Sequence, residues 1–456
     1  MKIFSNKALK IAYITAFILA LLIPGVWTFV GKQETIGNEE AVDFSDMNYW
    51  NASDKIDGYM NQKFGFRNQF VDLNNRIKYF VFSEAGNNQV IVGEDGWLFF
   101  SSALHDYNGQ ELLSDAELDK IVKILSMVQE EAERKESKFV FVSAPNKMEI
   151  YGEYMPYYQV EYKGEGNYEK LFSKLDAADV SNVDLKEILK AQKEQISYPI
   201  YYKTDSHWNE LGAAIAYENI MSRLGLECVE FSKEYAISQN AHKGDLDKML
   251  FPNKKGTDDL VVLKHEFEFY YTSNFKGSDD LLIQTANDDK DRSLIMWRDS
   301  FGASLFYMFA ENFNVAEFRR EIPYNFTNID KKDVVIIELV ERNIPYLLWQ
   351  LPIIEAQETE VEVTDMTNTE PIFTVTDKNG YKLVSATVPD IPKECVNVYF
   401  KVQTGDDSVI YEAYPSAENG DACLYIESIP EDAGLSVIYE YNGKIYETLK
   451  NSINCV

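Results

Sequence analysis

The chain has 456 residues, of which 45% are hydrophobic and 26% are charged. This balance is typical of a globular protein with a buried core and excludes a disordered chain, and the length favours two or three domains. The 74 acidic side chains outnumber the 44 basic ones and give a formal net charge of −30. Such a surface repels phosphate backbones, so nucleic acid is excluded as a partner, and the charge otherwise indicates solubility.

The N-terminus has the pattern of a membrane anchor. Lys2, Lys7 and Lys10 are the only charged residues before an apolar run over 11–30, which is long enough for a helix to cross a bilayer. Basic residues on this side predict a cytoplasmic N-terminus and an extracytoplasmic body. No small-x-small cleavage pattern is evident near Val30, so we predict a retained signal anchor and a single-pass protein of the cell membrane.

The cysteines leave the disulfide pattern open. Three of the four, Cys395, Cys423 and Cys455, lie in the last quarter of the chain, where one disulfide could form. The spacing does not select among the three full pairings that four cysteines allow. No CxxC pair or Cys/His cluster occurs, which argues against a structural zinc site.

The middle of the chain alternates between helical and extended patterns. A polar tether is predicted over 37–57, and a turn at 93–96 leads into an aromatic strand that ends at Phe100. Helices are predicted over 71–82, from a capping box at 114–117 onward, and over 168–178, 185–192 and 209–224. Short apolar strands are predicted over 138–142, 294–297, 315–318 and 334–338. This alternation predicts an α/β fold with a parallel sheet covered by helices on both faces.

The pattern changes after about residue 355. The tail is rich in Val, Thr, Tyr, Asp and Gly, and it carries hairpin-turn signals at 377–380 and 441–443. We therefore predict a signal anchor over 1–35, an α/β domain over 36–355 and an all-β, sandwich-like accessory domain over 356–456.

One of only four histidines stands in a chemically suggestive context. His207 follows Asp205 by two residues and directly precedes the helix that begins near Asn209. Across a tight turn the carboxylate can reach the imidazole Nδ1, fix its tautomer and leave Nε2 free as a general base. Structural and metal-binding roles are also common for such a pair. No third His or Cys lies nearby at ligand spacing, so a metal-dependent hydrolase is the weaker interpretation, and no metal is predicted.

The segment Leu294–Ala303 suggests a nucleophile. An apolar strand ends near Trp297, Ser300 follows, and a helix begins close to Gly302. This strand–turn–helix arrangement exposes a serine hydroxyl at the carboxyl end of a sheet and directs backbone N–H groups toward a developing oxyanion. Taken alone, Ser300 is better explained as a helix N-cap, but the two motifs together supply a nucleophile, a base and its partner.

Together these motifs resemble a known family. Asp205-Ser-His-Trp208 and Arg298-Asp-Ser-Phe-Gly302 are similar to motifs of the SGNH-hydrolase-like proteins of alginate O-acetylation (the AlgJ and AlgX type) and of the DHHW family of Gram-positive bacteria, with Ser206 standing where the DHHW name has His. Weaker blocks match in the same order, at residues 93–99, 145–147 with 153–156, 244–246 and 334–342. The resemblance thus spans residues 60–350 and implies an SGNH (flavodoxin-like) three-layer fold, with Ser300 as nucleophile, His207 as base and Asp205 as its partner.

The surroundings of this triad are less determined. The Ser300 N–H and the Asn146 side chain are the expected oxyanion donors, although a turn role fits Pro145-Asn146 equally well. Arg298, Trp208 and Tyr202 are candidates for the substrate groove, with core packing as the alternative. Asp299 is interpreted as a structural hydrogen-bonding residue outside the triad.

The resemblance implies acyl transfer to a cell-surface polysaccharide or exopolysaccharide, without a cofactor. The acyl donor would come from a membrane acyltransferase of the MBOAT type, and the anchor would keep the catalytic body near such a partner. An acetylesterase uses the same triad with water as acceptor. A non-catalytic polysaccharide-binding or assembly protein is the third alternative, against which the intact triad argues.

Overall fold

The computed structural model describes residues 7–30, 45, 47–48, 51–251, 254–326, 331–389, 391–417, 420–430, 432–452 and 454–455. Lys2, residues 37–44, 46, 49 and 50 of the predicted tether and the side chain of Cys455 lie outside this part. Among the side chains that are described, Cys228, Cys395 and Cys423 are free thiols.

The helices include the predicted ones, with ends that are longer or shorter by one to four residues. They are α1 (Lys7–Val30), α2 (Ala52–Lys63), α3 (Arg67–Ile77), α4 (Leu104–Asn108), α5 (Asp115–Arg134), α6 (Lys147–Ile150), α7 (Asn167–Ala177), α8 (Leu185–Lys193), α9 (Glu210–Arg223), α10 (Asp245–Leu250) and α11 (Phe306–Asn312). A π-helical turn, Lys78–Phe82, continues α3 directly. The predicted tether is corrected at its end, because α2 already begins at Ala52 with Asp54 in its first turn.

Helix α1 is long and apolar enough to cross a membrane. Its apolar stretch Leu9–Thr28 has a mean hydropathy of 2.1, and only 6% of it is buried against the rest of the protein. It is the one such helix in the described part of the chain, and its composition is compatible with the predicted anchor.

The strands of the first part of the chain are β1 (Val90–Val92), β2 (Leu98–Phe100), β3 (Lys138–Ala144), β4 (Asn182–Val183), β5 (Tyr235–His242), β6 (Asp258–Leu263), β7 (Tyr270–Tyr271), β8 (Leu282–Ala286), β9 (Ser293–Trp297), β10 (Val315–Arg319) and β11 (Val334–Val340). Seven of them form one sheet in the order β4-β3-β11-β9-β10-β8-β7. The first five are parallel, as predicted, whereas β8 and β7 add an antiparallel edge. This edge lacked a sequence signal because β7 is two exposed residues long.

Alternate side chains of the central strands enter two different cores. Phe139, Phe141 and Trp297 pack with α5 and α7 on one face of the sheet. Val140, Met296 and Phe318 pack with α9 and α11 on the other face. Since both faces are covered, the domain has the predicted three layers, and only the strand ends remain accessible for a site.

The tail is all β, as predicted. Its strands are β12 (Glu358–Thr359), β13 (Asp365–Met366), β14 (Ile372–Lys378), β15 (Tyr381–Thr387), β16 (Val398–Thr404), β17 (Asp407–Ala413), β18 (Ala422–Ile426), β19 (Gly434–Tyr441), β20 (Lys444–Glu447), β21 (Asn451–Ser452) and β22 (Asn454–Cys455). They form a seven-stranded and a four-stranded sheet, and residues of both, including Phe373, Val384 and Phe400, share one core. That arrangement is a sandwich.

Candidate active site

The Ser300 turn lies at the carboxyl end of β9, in the middle of the parallel sheet. Asp299 holds this turn: its Oδ1 accepts a hydrogen bond from the Phe301 N–H at 2.8 Å, and its Oδ2 accepts one from the Val340 N–H at 2.8 Å. The carboxylate therefore ties the turn to the end of the neighbouring strand β11. This is the structural role expected for Asp299 from the sequence.

Gly302 allows the turn to pass close to the sheet. A Cβ at this position would lie 2.5 Å from the Cβ of Arg298 and 2.9 Å from Oε2 of Glu338. The short 3-10 helix Phe301–Ser304 then continues the chain. In the described part of the structure, the Ser300 N–H has no hydrogen-bond acceptor, so it is available to a ligand.

Ser300, His207 and Asp205 form an unbroken hydrogen-bonded chain. Ser300 Oγ lies 2.9 Å from His207 Nε2, and His207 Nδ1 lies 2.7 Å from Asp205 Oδ1. The two halves come from segments 93 residues apart. This geometry allows proton transfer from the serine hydroxyl to the imidazole, with the carboxylate fixing the ring.

The histidine loop is held against the serine turn by its flanking residues. The Asn209 side chain caps α9 through the N–H groups of Leu211 and Gly212, both at 3.1 Å. The fully buried Trp208 donates its indole N–H to the Phe301 carbonyl at 3.0 Å. Because this bond joins the two loops directly, it fixes the separation of His207 and Ser300.

The second oxygen of Asp205 has its own partners. His242 Nε2 lies 3.0 Å from Asp205 Oδ2, and the Asp245 N–H donates to the same oxygen at 3.0 Å. Ser206 Oγ donates to Asp245 Oδ2 at 2.5 Å. The contacts of His242 and Asp245 come from the end of β5 and the start of α10, and they orient the Asp205 carboxylate.

The pKa values of the central pair are shifted in opposite directions. Burial opposes ionisation of Asp205, but the hydrogen bonds and charges of His207 and His242 outweigh it and hold the pKa of Asp205 well below its usual range. Burial also favours neutral His207, but the hydrogen bond and charge of Asp205 prevail and raise the pKa of His207. The pair therefore stabilises an imidazolium, the state that a general base reaches during catalysis.

The loop before His207 rests on a buried lysine. Lys147 Nζ donates to the carbonyl oxygens of Tyr202, Lys203 and Asp205 at 3.0, 3.0 and 2.7 Å. Burial lowers the pKa of Lys147 to about 7, against the opposing charge of Asp205. Lys147 thus organises the backbone that carries Asp205.

The remaining predicted site residues are all buried around the hydrogen-bonded triad. Asn146 is 1% exposed; its side-chain amide donates to Asp106 at 3.2 Å and its carbonyl accepts from Arg342 at 3.1 Å. Arg298 is buried and donates to the carbonyl oxygens of Asp299 and Ser278. No hydrogen bond joins Asn146 or Arg298 to Ser300 or His207 among the described residues.

The other two predicted residues lie in the packing around the site. Trp208 is fully buried, as described above, and Tyr202 is 5% exposed. The Tyr202 ring stacks on His242 with the centroids 3.9 Å apart, and its hydroxyl donates to Glu210. Both side chains are thus packed against their neighbours, and their predicted role in the substrate groove stays a prediction.

The sequence did not single out His242, Asp245 or Arg342. The signals were weak but present: His242 is one of only four histidines, and Asp245 lies in the 244–246 block of the resemblance. The Arg342 guanidinium lies 5.7 Å from the centre of the Phe301 ring. Arg342 lies in the segment 334–342 that resembles the family, but the resemblance implied no role for its side chain.

Asp205, His207 and Asp245 also form the one cluster in the described residues that could hold a metal ion, with one ligand atom from each within 4.8 Å of the others. Carboxylate and imidazole ligands fit zinc or another divalent transition metal. In that arrangement His207 Nδ1 would be a metal ligand instead of a hydrogen-bond donor to Asp205.

A surface pocket lies beside the serine turn. Its lining includes Arg298, Asp299, Asn343, Tyr346 and Gln350. Next to it, Tyr346 and Trp349 are 45% and 41% exposed, with their rings 5.6 Å apart. Exposed aromatic rings next to side-chain amides suit a ligand that has both apolar faces and hydroxyl groups.

Comparison with protein families agrees with the motifs. Residues 90–289 match the family described as "SGNH hydrolase-like domain, acetyltransferase AlgX". The predicted resemblance to SGNH-hydrolase-like proteins is therefore confirmed over this range, which contains Asp205 and His207 and ends before Ser300. A comparison with curated protein sequences found no significant match.

Solved structures with a similar chain course include PatB1 of Bacillus cereus, which is 19% identical over 57% of this chain and 97% of its own, with a TM-score of 0.44. The O-acetyltransferase domain of Pseudomonas putida AlgJ is 18% identical over 57% of this chain and 93% of its own, with a TM-score of 0.39. A DHHW family protein from Eubacterium siraeum is 18% identical over 57% of this chain and 92% of its own, with a TM-score of 0.42.

Proposed function

We propose that this protein is an extracytoplasmic O-acetyltransferase that modifies a cell-surface polysaccharide or exopolysaccharide through an acyl–Ser300 intermediate. The hydrogen-bonded chain from Ser300 through His207 to Asp205 is the observation that carries the proposal. The match of residues 90–289 to an acetyltransferase family supports it.

In the first half-reaction, Ser300 Oγ attacks the carbonyl carbon of the acyl donor while His207 Nε2 accepts the hydroxyl proton. The tetrahedral intermediate collapses when the bond to the donor breaks, and His207 returns the proton to the departing oxygen or sulfur. The acetyl group is now an ester of Ser300. Asp205 stabilises the transient imidazolium and is not itself protonated.

In the second half-reaction, a sugar hydroxyl takes the place of the donor. His207 removes its proton, the sugar oxygen attacks the acyl ester, and the Ser300–acyl bond breaks with return of the proton to Oγ. The Ser300 N–H has no partner within the described structure and would donate to the oxyanion. We assign the second donor to the side-chain N–H of Asn146, whose side-chain oxygen accepts a hydrogen bond from the Arg342 guanidinium at 3.1 Å.

The aromatic surface beside the turn supports a saccharide as the acceptor. Tyr346 and Trp349 could stack on the apolar faces of sugar rings, while Asn343 and Gln350 could bond hydroxyl groups in the adjoining pocket. The net charge of −30 makes a strongly anionic polymer a poorer acceptor because of repulsion.

The same proposal covers the organisation of the chain. A signal anchor over 1–35 would hold a catalytic domain over 36–355 and a β-sandwich accessory domain over 356–456 at the extracytoplasmic face of the cell membrane. The apolar stretch Leu9–Thr28 supports the anchor. The acyl group would come from a membrane acyltransferase of the MBOAT type, which would deliver it across the bilayer.

An acetylesterase is the nearest alternative, since water can replace the sugar hydroxyl in the second half-reaction. The Asp205–His207–Asp245 cluster is the specific observation that favours a metal-dependent hydrolase instead. Metal analysis after dialysis distinguishes the serine mechanism from the metal-dependent one. A stoichiometric ion whose removal abolishes turnover would contradict the serine mechanism.

The direct test uses the full-length protein in detergent with p-nitrophenyl acetate and a serine-directed sulfonyl fluoride. The wild type is expected to release nitrophenol and to gain one sulfonyl adduct on Ser300, whereas Ser300→Ala and His207→Ala lose turnover and adduct. Thermal unfolding of each variant is the control for folding. Turnover that persists in a folded Ser300→Ala protein, or no adduct in the wild type, would contradict the proposal; acetyl transfer to added oligosaccharides then distinguishes a transferase from an esterase.

A further inference from the structure

The segment that follows α1 exposes an apolar stripe on one side of a helix. The stripe consists of five side chains of α3 and the π-helical turn, which are 49–72% exposed: Phe70, Leu73, Ile77, Phe80 and Val81. Their i, i+3, i+7, i+10 and i+11 spacing places them on one side of the helix. The segment Arg67–Phe82 is about 24 Å long at 1.5 Å per residue, so the stripe is a long, continuous apolar surface.

The opposite side of this helix is bound to the body of the protein. Asn75 donates its side-chain amide to the Leu250 carbonyl at 2.6 Å, and Tyr79 packs edge-on against Phe251 with the centroids 5.4 Å apart. These contacts fix the rotation of the helix. The exposed stripe therefore faces away from the body as a consequence of packing.

The stripe begins next to the end of the apolar helix α1. Gly65, two residues before α3, donates its N–H to Thr28 Oγ1 at 2.9 Å, and the rings of Trp27 and Phe66 stack with their centroids 5.2 Å apart. Thr28 is the last residue of the membrane-compatible stretch. If α1 spans the bilayer, the segment Arg67–Phe82 starts at the membrane–water interface, where Trp side chains such as Trp27 are enriched.

The charge of this segment is opposite to that of the whole chain. Residues 63–82 contain four basic side chains, Lys63, Arg67, Arg76 and Lys78, and the single acid Asp72, whereas the whole chain has a net charge of −30. Anionic lipid headgroups attract such a basic stretch and repel the remaining surface. A second copy of the chain would instead bring two basic stretches together, so charge favours lipid as the occupant.

We propose that the stripe is buried in the outer-leaflet interface of an anionic bilayer, with the segment Arg67–Phe82 lying parallel to the membrane surface. This inference rests on the proposed anchor. Helix α10 connects the stripe with the active site. The Asn75 side chain donates a hydrogen bond to Leu250, the last residue of α10, and the backbone N–H of Asp245, its first residue, donates one to Asp205. The six residues of α10 span about 9 Å, so docking would hold the triad close to a bilayer-delivered acyl donor.

The test measures the depth of single positions in the full-length protein reconstituted into vesicles of phosphatidylethanolamine and phosphatidylglycerol. Phe80→Trp adds a tryptophan in the stripe, and Tyr157→Trp adds one at a position that is 90% exposed on the body. The fluorescence of each variant is compared with that of the wild type in vesicles with and without brominated acyl chains. This readout needs no turnover, so its failure is separate from a failure of the acyltransferase proposal.

The added fluorescence at position 80 is expected to be blue-shifted and to fall about twofold or more in brominated vesicles, as for a ring at the headgroup–acyl boundary, while that at position 157 is unchanged. A solvent-like spectrum at position 80 would overturn the inference. A blue shift without quenching would also overturn it, because the stripe would then be covered by protein. The double substitution Ile77→Asp/Phe80→Asp, made in a protein that also carries Val81→Trp, should abolish the blue shift and the quenching of the tryptophan at position 81. It should leave p-nitrophenyl acetate hydrolysis unchanged, because neither Ile77 nor Phe80 contacts the site.

Discussion

At the scale of single residues, the proposed reaction depends on the protonation state of His207, because a neutral ring is needed to deprotonate Ser300. Burial favours the neutral ring, but Asp205 raises the pKa of His207 above its ordinary value, which is about 6.5. The proposed base works only when neutral. We therefore expect kcat/KM for p-nitrophenyl acetate to fall as the pH falls, with a midpoint above about 6.5.

Asp205→Asn tests the cause of this shift. The substitution removes the charge that raises the pKa, so the midpoint should move to lower pH, and the plateau rate should fall by about 10³–10⁴-fold as the imidazole loses its orienting carboxylate. The measurement is a pH–rate profile of both proteins. A wild-type profile that stays flat to about pH 5, or an unchanged midpoint in the folded variant, would show that His207 is not the base.

At the scale of elements, the loop before α10 sets the position of Asp205. A Cβ on Gly244 would lie 2.0 Å from the Thr204 carbonyl oxygen and 2.7 Å from the Asp205 nitrogen. Gly244→Ala must therefore displace the backbone that carries Asp205, and we expect kcat to fall by about 10–100-fold. Gly277→Ala is the matched control because its Cβ would contact nothing within 4 Å; equal activity of the two variants would contradict the prediction.

The segment after β11 has a partly buried side chain that contacts the site and two side chains that are exposed. Its Arg342 reaches inward to Asn146, whereas Tyr346 and Trp349 remain exposed. If the aromatic pair binds the acceptor, Trp349→Ala should lower acetylation of the polymer about three- to tenfold and leave p-nitrophenyl acetate hydrolysis unchanged. Alkali-released acetate from the envelopes of cells that carry each variant measures the first effect, with Tyr157→Ala as the control; a parallel loss in both assays would indicate misfolding.

At the scale of the whole molecule, the β-sandwich is packed onto the α/β domain. Ile124 and Met127 of α5 share a core with Ile353, Tyr414 and Tyr425. The buried Tyr414 hydroxyl donates to the Pro352 carbonyl at 2.9 Å. This contact joins the sandwich to the segment that precedes it.

Tyr414→Phe leaves the buried Pro352 carbonyl without this donor, so the free energy of unfolding should fall by about 1–3 kcal/mol. Denaturant titration of the full-length protein in detergent measures it. Tyr399→Phe is the control, because that side chain is only partly buried and has no hydrogen bond in the described structure. An equal effect of the two substitutions would show that the Tyr414–Pro352 bond is not what stabilises the junction.

The sequence was most informative where the signal was local. Asp205 and His207 are two residues apart, and Ser300 follows an apolar strand directly, so each motif could be read from its own segment. The same holds for the amphipathic helix α5 with its capping box at Ser114, which the structure confirms. Local periodicity and capping therefore predicted most helices, four of the five parallel strands and the all-β tail; the two-residue strand β4 was not predicted.

Other features depend on residues that are distant in the chain. His242 and Asp245 reach Asp205 only because β5 and α10 fold back onto the histidine loop. The burial of Trp208 and Tyr202 follows from packing against the serine turn and His242, which no pattern in their own segment encodes. The antiparallel edge of the sheet likewise depends on pairing and not on the composition of its short strands.

By itself, then, the sequence determined the anchor-like helix, the fold class and the residue types of the candidate triad, because hydrophobic periodicity and short motifs are local properties. Only the tertiary structure decided that the Ser300 and His207 side chains meet at 2.9 Å, that a second histidine shares the Asp205 carboxylate, and that the stripe from Phe70 to Val81 stays uncovered. Each of these depends on which surfaces the packed core brings together or leaves open, and chain order alone does not encode that choice.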